Sequence, residues 1–270
     1  MIDIFYSHII DMPELPEVEM FRQYIEKTSL WQTIIKMEIR NDIIVREVEQ
    51  KILKEAVEGS EFTSVLRYGK WLYLQLSKGG WLIWHFGMTG RPISLNKSRE
   101  ERFTRALFLF RCGSLAFVDP RMLGHLDIVS SPDVHIKEKK LGPDALDISY
   151  EIFMNTFQNS RGNVKAALMN QHKVAGIGNL YSDEILFQCQ VNPNDKACSL
   201  SNHELECIFH TMRRVLQQSI AVETNFDLLP NSYLLRNRSR KGVCPRCNTP
   251  LQTDTIGGRT SYFCAKCLQI

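Results

Sequence analysis

The hydrophobic period changes once along this chain, and no single layer of secondary structure can absorb both patterns. From about residue 33 to residue 129, apolar residues sit in short alternating or continuous runs: Trp71-Leu72-Tyr73-Leu74-Gln75-Leu76, Trp81-Leu82-Ile83-Trp84-His85-Phe86, Ala106 to Phe110, and Leu115 to Val118. Lys78-Gly79-Gly80 and Cys112-Gly113-Ser114 punctuate them as turn signals. Several antiparallel strands at that spacing predict a sandwich or barrel. Beyond Leu141-Gly142-Pro143 the apolar residues return at helical spacing over 149–159, 163–172, 179–189 and 201–221. Ser201 followed by Glu204 is a capping box for the last of these. A further helix is expected over 14–28, with Val18, Phe21, Tyr24 and Ile25 on one side. The fold class is therefore α+β in two domains, a β-sandwich carrying a helix over 13–130 and a helical domain over 149–225. A hinge at 131–148 joins them, and a basic linker with a small cysteine module follows over 226–270.

The module is the sharpest local signal. Cys244, Cys247, Cys264 and Cys267 form two C-x2-C pairs, a spacing that fits a four-cysteine zinc site. Four thiolates close a tetrahedral shell, so one zinc per chain would be structural and do no chemistry. The segment between the pairs carries Gly257-Gly258-Arg259, which predicts a β-hairpin finger. The other cysteines, Cys112, Cys189, Cys198 and Cys207, read as reduced thiols of the buried kind.

Net charge is +3 over 270 residues, too small to announce a polyanionic partner. Its distribution says more. From Asn225 onward seven basic residues face Asp227 and Asp254, a local net of +5 on a body of −2. A basic C-terminal module suggests a localised polyanion contact. No apolar run approaches the ~20 residues needed to span a bilayer. The first eleven residues carry Asp3 and Asp11 and lack a basic start, which makes a poor signal peptide. A cytoplasmic protein with no membrane partner is expected.

Met12-Pro13-Glu14-Leu15-Pro16-Glu17-Val18 looks like a protein's beginning set twelve residues late. If residues 1–12 are absent from the working form, Pro13 is a free secondary amine. An α-amino group titrates near ~8, so roughly a tenth is an unprotonated nucleophile at neutral pH. Within a continuous chain the same nitrogen is an amide and attacks nothing. The competing reading is a proline-punctuated helix start, which Pro16, Glu17 and Glu19 also suit.

These pieces, together with Gly69-Lys70, His85-Phe86-Gly87-Met88-Thr89-Gly90, Asp119-Pro120-Arg121 and Gly176-Ile177-Gly178-Asn179-Leu180-Tyr181, run in order from residue 12 to 267. In that order the chain resembles the formamidopyrimidine-DNA glycosylases, bifunctional base-excision enzymes with an N-terminal β-sandwich, a helix–two-turn–helix domain and a zinc finger. The resemblance implies a monomer acting on double-stranded DNA that contains oxidised bases or abasic sites, and a nucleoid-associated location. It implies extrusion of the damaged base, attack of the Pro13 amine on the sugar, and proton donation by Glu14. β- and δ-elimination would then be assisted by Lys70 and Arg259. Arg102, Arg161, Lys165 and Asn179 match DNA-backbone contacts, and amides at Gly176 to Asn179 could hold a phosphate. Met88, Arg121 and Leu123 match residues that fill the vacated base stack. Glu17 and Glu184 match carboxylates near the lesion.

Three departures bear on these implications. Residues 1–11 precede the expected start, Leu123 stands where the family usually has phenylalanine, and the stretch 224–241 is short for a lesion-capping loop. Oxidised purines (formamidopyrimidine, 8-oxoguanine or hydantoins) are the expected substrates, since Leu15 replaces the glycine usual in the oxidised-pyrimidine sister enzymes. That sister activity is the alternative. A catalytically silent damaged-DNA binder is the other if 1–12 are retained, while a zinc-ribbon module of an unrelated complex would explain only the finger.

Overall fold

The computed structural model describes residues 13–96 and 101–269. The expected extension 1–12 lies outside the described residues. The chain forms two compact units, one of Pro13 with Glu17–Lys140, the other of Glu14–Pro16 with the residues from Leu141 onward.

The first unit begins with most of helix α1 (Leu15–Thr28). Its strands are β1 (Lys36–Ile39), β2 (Phe62–Tyr68), β3 (Trp71–Leu76), β4 (Trp81–His85), β5 (Arg91–Leu95), β6 (Thr104–Leu109), β7 (Ser114–Val118) and β8 (His125–Val129), with helix α2 (Gln50–Val57) between β1 and β2. They pair antiparallel as two four-stranded sheets, β1-β6-β7-β5 and β2-β3-β4-β8. Trp84 and Phe62 of the second sheet meet Phe117 and Phe108 of the first, with ring centroids 5.1 Å (Trp84–Phe117) and 5.5 Å (Phe62–Phe108) apart. The two sheets thus share one aromatic and aliphatic core, as in a sandwich.

The apolar runs at β3 and β4 are continuous because both faces of that sheet are covered. Leu72, Leu74, Leu82 and Trp84 enter the inter-sheet core. On the opposite face, Tyr73 donates to or accepts from His135 Nδ1 at 2.9 Å, and Trp71 packs against His85, His125 and His135 at 4.4–5.3 Å. His135 belongs to α3 (Pro132–Glu138), capped by the Ser131 hydroxyl. That helix occupies part of the stretch expected to be a hinge. Its one buried side chain is a histidine, so no apolar stripe announced it.

The second unit contains α4 (Tyr150–Gln158), α5 (Val164–Met169), α6 (Asn179–Cys189) and α7 (Asn202–Ala221), then the hairpin β9 (Gln252–Ile256) and β10 (Arg259–Phe263). The Ser201–Glu204 capping box forms in both directions. The helix expected over 163–172 is shorter, ending at Met169, where Asn170 turns extended. Helix α6 is the centre of this unit: every residue from Tyr181 to Phe187 is buried. Of the scattered cysteines, Cys112 and Cys198 are exposed and Cys189 and Cys207 half-buried, so the expectation of buried thiols fails. Cys112 sits in the β6–β7 turn, where chain reversal leaves nothing to cover it.

Burial holds His125 and His135 at pKa values of about 4, well below free imidazole. Their neutral forms therefore stabilise the first unit fully above about pH 6.5, the unfolded value, and that contribution is lost as pH falls toward 4. Urea midpoints should decline over this window, and His135→Gln should flatten the decline. An unchanged pH slope in that variant would remove the histidines as its cause.

Candidate functional site

In the first unit the expected site residues lie on three loops whose shapes are fixed by buried polar groups. Lys70 and Gly69 form the two-residue turn between β2 and β3, bounded by the Tyr68–Trp71 pair. Gly69 takes φ +55°, the left-handed conformation such a turn requires. Arg67 braces the turn by donating to Gly69 O at 3.4 Å and pairing with Glu19 of α1 at 3.1 Å. Glu17, one helical step earlier, is buried, as is Pro13. Lys70 is close enough to His85 that its charge adds to the burial holding that imidazole neutral, with a pKa of about 3. Gly87 N donates to His85 Nδ1 at 3.2 Å, which leaves Nε2 as the protonated nitrogen.

Met88 sits on the loop after β4, while Arg121 and Leu123 sit on the turn before β8. Asp119, fully buried, ties the two together. Its carboxylate accepts from Thr89 Oγ1 at 2.7 Å, Arg121 N at 3.3 Å and Gly124 N at 2.8 Å. Arg105 donates to the carbonyls of Asp119 and Pro120, and Arg46 to that of Leu123. The loops cross so closely that a Cβ on Gly87 would lie 2.4 Å from Gly124 N. With its backbone so held, the turn presents Leu123 with 41% of its surface exposed, beside an exposed Arg121. Arg102 is also exposed, its guanidinium 4.5 Å above the ring of Phe103.

In the second unit the N-terminus of α6 is already occupied by an anion. Glu14 accepts from Gly178 N (2.5 Å), Leu180 N (2.7 Å) and Tyr181 N (3.4 Å). The amides expected to hold a phosphate therefore hold a carboxylate, which satisfies the same helix-end donors. Leu15 N donates to Gly176 O at 3.0 Å, and a Cβ on Gly176 would strike Leu15 Cδ1 at 2.6 Å. Glycine there lets the loop close over the segment that carries Glu14.

Two expected roles change. Lys165 is fully buried, so its ammonium is not offered to a backbone phosphate. It pairs with Asp183 at 2.7 Å and donates to Asn179 Oδ1 at 2.7 Å. Burial lowers its pKa and the Asp183 carboxylate opposes that shift. Because an ammonium can only donate, it fixes the Asn179 amide with oxygen inward and Nδ2 as the remaining donor. Glu184 is likewise fully buried rather than open to a ligand. It accepts from Gln188 Nε2 and Leu235 N, and burial raises its pKa to about 7.

Asp183 was not singled out in the sequence, yet it gathers the unit. Besides Lys165 it accepts from Arg238 (2.8 Å), Ser261 Oγ (2.7 Å) and Tyr262 N (3.1 Å). One buried carboxylate thus anchors α5, the basic linker and strand β10. The available signal was the adjacent acid pair Asp183-Glu184 set among Tyr181, Ile185, Leu186 and Phe187 of one helix. Arg238, one of the linker's basic residues, is spent on this contact. Arg259 opens β10 at the exposed hairpin tip, after Gly257 and Gly258 at φ +58° and +72°. A Cβ on Gly257 would meet Met169 Cε at 3.3 Å, so the tip rests against α5. Arg161, just before α5, is exposed.

Cys244, Cys247, Cys264 and Cys267 bring their sulfurs within 4.8 Å of one another. Three of the separations are 3.5–3.7 Å, close to the ~3.8 Å edge of a tetrahedron with Zn–S bonds of ~2.3 Å. The donor set and its size fit zinc, and all four positions are filled by protein.

Replacing Lys165 by methionine should cost about 2 kcal/mol of stability, because buried Asp183 loses one of its two cations and keeps Arg238. Urea unfolding checks this. Weaker DNA binding with unchanged stability would return Lys165 to the role of a surface phosphate contact.

Three family descriptions match the chain: "Formamidopyrimidine-DNA glycosylase N-terminal domain" over 12–126, "Formamidopyrimidine-DNA glycosylase H2TH domain" over 141–227, and "Zinc finger found in FPG and IleRS" over 242–270. The formamidopyrimidine-DNA glycosylase of Desulfitobacterium hafniense is 32% identical over 95% of this chain and 99% of its own. Among solved structures, the Lactococcus lactis Fpg bound to DNA containing an abasic site superposes with a TM-score of 0.84 at 26% identity, covering 95% of this chain and 100% of that one. MutM in complex with DNA containing carbocyclic 8-oxo-G gives 0.86 at 26%, covering 96% and 100%. Among the described residues no helix is long and apolar enough to cross a membrane.

Proposed function

Since this chain belongs to the formamidopyrimidine-DNA glycosylase family and is a base-excision DNA glycosylase, we propose that it removes oxidised purines and cleaves the resulting abasic site through a Pro13 Schiff base. The working protein begins at Pro13. Its unprotonated amine attacks the anomeric carbon of the damaged nucleotide, the glycosidic bond breaks, and the base leaves with a proton. The Glu14 carboxylate takes the proton of the attached Pro13 ammonium and passes it to O4′, which leaves C1′ as the C4′ hydroxyl, so that the opened ring is a protein–DNA iminium. Removal of a C2′ proton then expels the 3′ phosphate, and a further elimination expels the 5′ phosphate. Lys70 assists the first elimination and Arg259 the second.

The observation that carries this reading is the clamp on Glu14. Its carboxylate is held by three backbone amides of α6, which fixes the residue covalently next to the nucleophile without engaging a mobile side chain. Three amides stabilise the carboxylate form, which can receive the proton of the attached amine, and the fixed position lets Glu14 hand that proton on to the sugar. Asn179, with its amide nitrogen turned outward, and Arg161 supply phosphate contacts that fix register without reading the lesion. Met88, Arg121 and Leu123 occupy the space left by the extruded base, offsetting an unstacking cost of a few kcal/mol. Glu17 and Arg102 lie beside the damaged strand. Lys165 and Glu184 enter only through what they position, the Asn179 amide and the 234–235 segment. Zinc keeps the finger folded and carries no step. The enzyme acts as a monomer on nucleoid DNA.

Protein starting at Pro13 should be trapped covalently on abasic-site duplex by borohydride, whereas protein retaining residues 1–12 should not. Equal trapping of both forms refutes the assignment of the nucleophile. Glu14→Gln should lower excision of formamidopyrimidine at least about 100-fold while abasic-site binding, measured by anisotropy, stays near the parent value. Preferential excision of thymine glycol by the Pro13 form would instead place the chain with the oxidised-pyrimidine enzymes.

A further inference from the structure

Cys189 closes helix α6 and Cys207 lies in the second turn of α7, eighteen residues on. Their sulfurs are 2.9 Å apart, nearer than two non-bonded sulfurs normally rest and short of the ~2.05 Å of a disulfide. Both thiols are half-buried, so a small oxidant can reach them. Thr211 Oγ1 lies 4.0 Å from Cys207 Sγ and is itself held by Arg214 at 3.2 Å. Neither cysteine is near the metal cluster in sequence, and the function proposed above uses neither.

We propose that Cys189 and Cys207 form a peroxide-responsive dithiol, oxidised by hydrogen peroxide to an intramolecular disulfide that staples α6 to α7. The two sulfurs are equivalent in the outcome. When Cys207 reacts first, its sulfur attacks one peroxide oxygen, the O–O bond breaks, and hydroxide leaves to become water, giving a sulfenic acid. Cys189 sulfur then displaces hydroxide from Cys207 sulfur, and its proton completes the second water. Two thiols and one peroxide become one disulfide and two waters. In a reducing cytosol such bridges are transient, which suits a response to oxidant rather than a permanent staple. The adjacency also shields either sulfur from further oxidation, because the sulfenic acid is captured before a second peroxide arrives.

The test uses the full zinc-loaded chain, fully reduced, treated with one to a few equivalents of hydrogen peroxide, alkylated and mapped without reductant. The expected product is 2 Da lighter, with the peptides of Cys189 and Cys207 joined, and dithiothreitol restores the original mass. Cys207→Ser should abolish the joined peptide and leave Cys189 alkylated or singly oxidised. Full alkylation of both residues in the parent, separate oxygen adducts on each, or a bridge through Cys112 or Cys198 would each overturn the proposal. These readouts involve no DNA, so they stand whatever becomes of the glycosylase chemistry.

Discussion

A carboxylate removed from water has to find its charge balance within the protein, and Asp183 does so by collecting three separate parts of the second unit. Lys165 and Arg238 supply the charge; Ser261 and Tyr262 supply further donors. Leaving any such group unpaired would cost several kcal/mol, so the arrangement is fixed as a set. The helix bearing Asp183 begins with Asn179, and its N-terminal amides bind Glu14. The strand that donates to it begins with Arg259. A single buried negative charge therefore sets the relative placement of Asn179, Glu14 and Arg259.

The first unit solves the same problem with Asp119. That carboxylate satisfies backbone amides of one turn and a hydroxyl of another, so the loops that carry Met88 and the Arg121–Leu123 pair are tied through one group. Apolar side chains held out in solvent are unfavourable, and Leu123 stays out because Arg46 donates to its carbonyl and Asp119 accepts from the next amide, Gly124 N. In both units a buried acid of the scaffold rigidifies residues that are themselves exposed. Preorganisation lowers the entropy lost when a ligand arrives.

Much of this was legible from residue order. The strands over 71–76 and 81–85 and the helices over 15–28, 179–189 and 202–221 follow from apolar periodicity, and the capping box forms as its two residues demand. The cysteine spacing specifies a shell that the sulfurs do adopt. Helix α3 leaves no apolar stripe in the sequence because it buries a histidine, and α2 leaves a faint one because Leu53 and Val57 alone make its buried face. The amides before α6 were read as open donors because nothing local says that Glu14, more than 160 residues earlier, fills them.

By itself, then, the order of residues determined where strands give way to helices, which four sulfurs gather into one cluster, and which motifs lie in order along the chain. Those properties depend on spacing of a few residues, and local geometry suffices. Which charges are spent inside the protein was decided only by tertiary structure. Lys165, Arg238 and Glu184 look like surface charges in any short window, and each is engaged by a partner on another element, 18, 55 and 51 residues away respectively. Desolvation is a property of the packed interior, and no window of sequence contains the groups that enclose a residue.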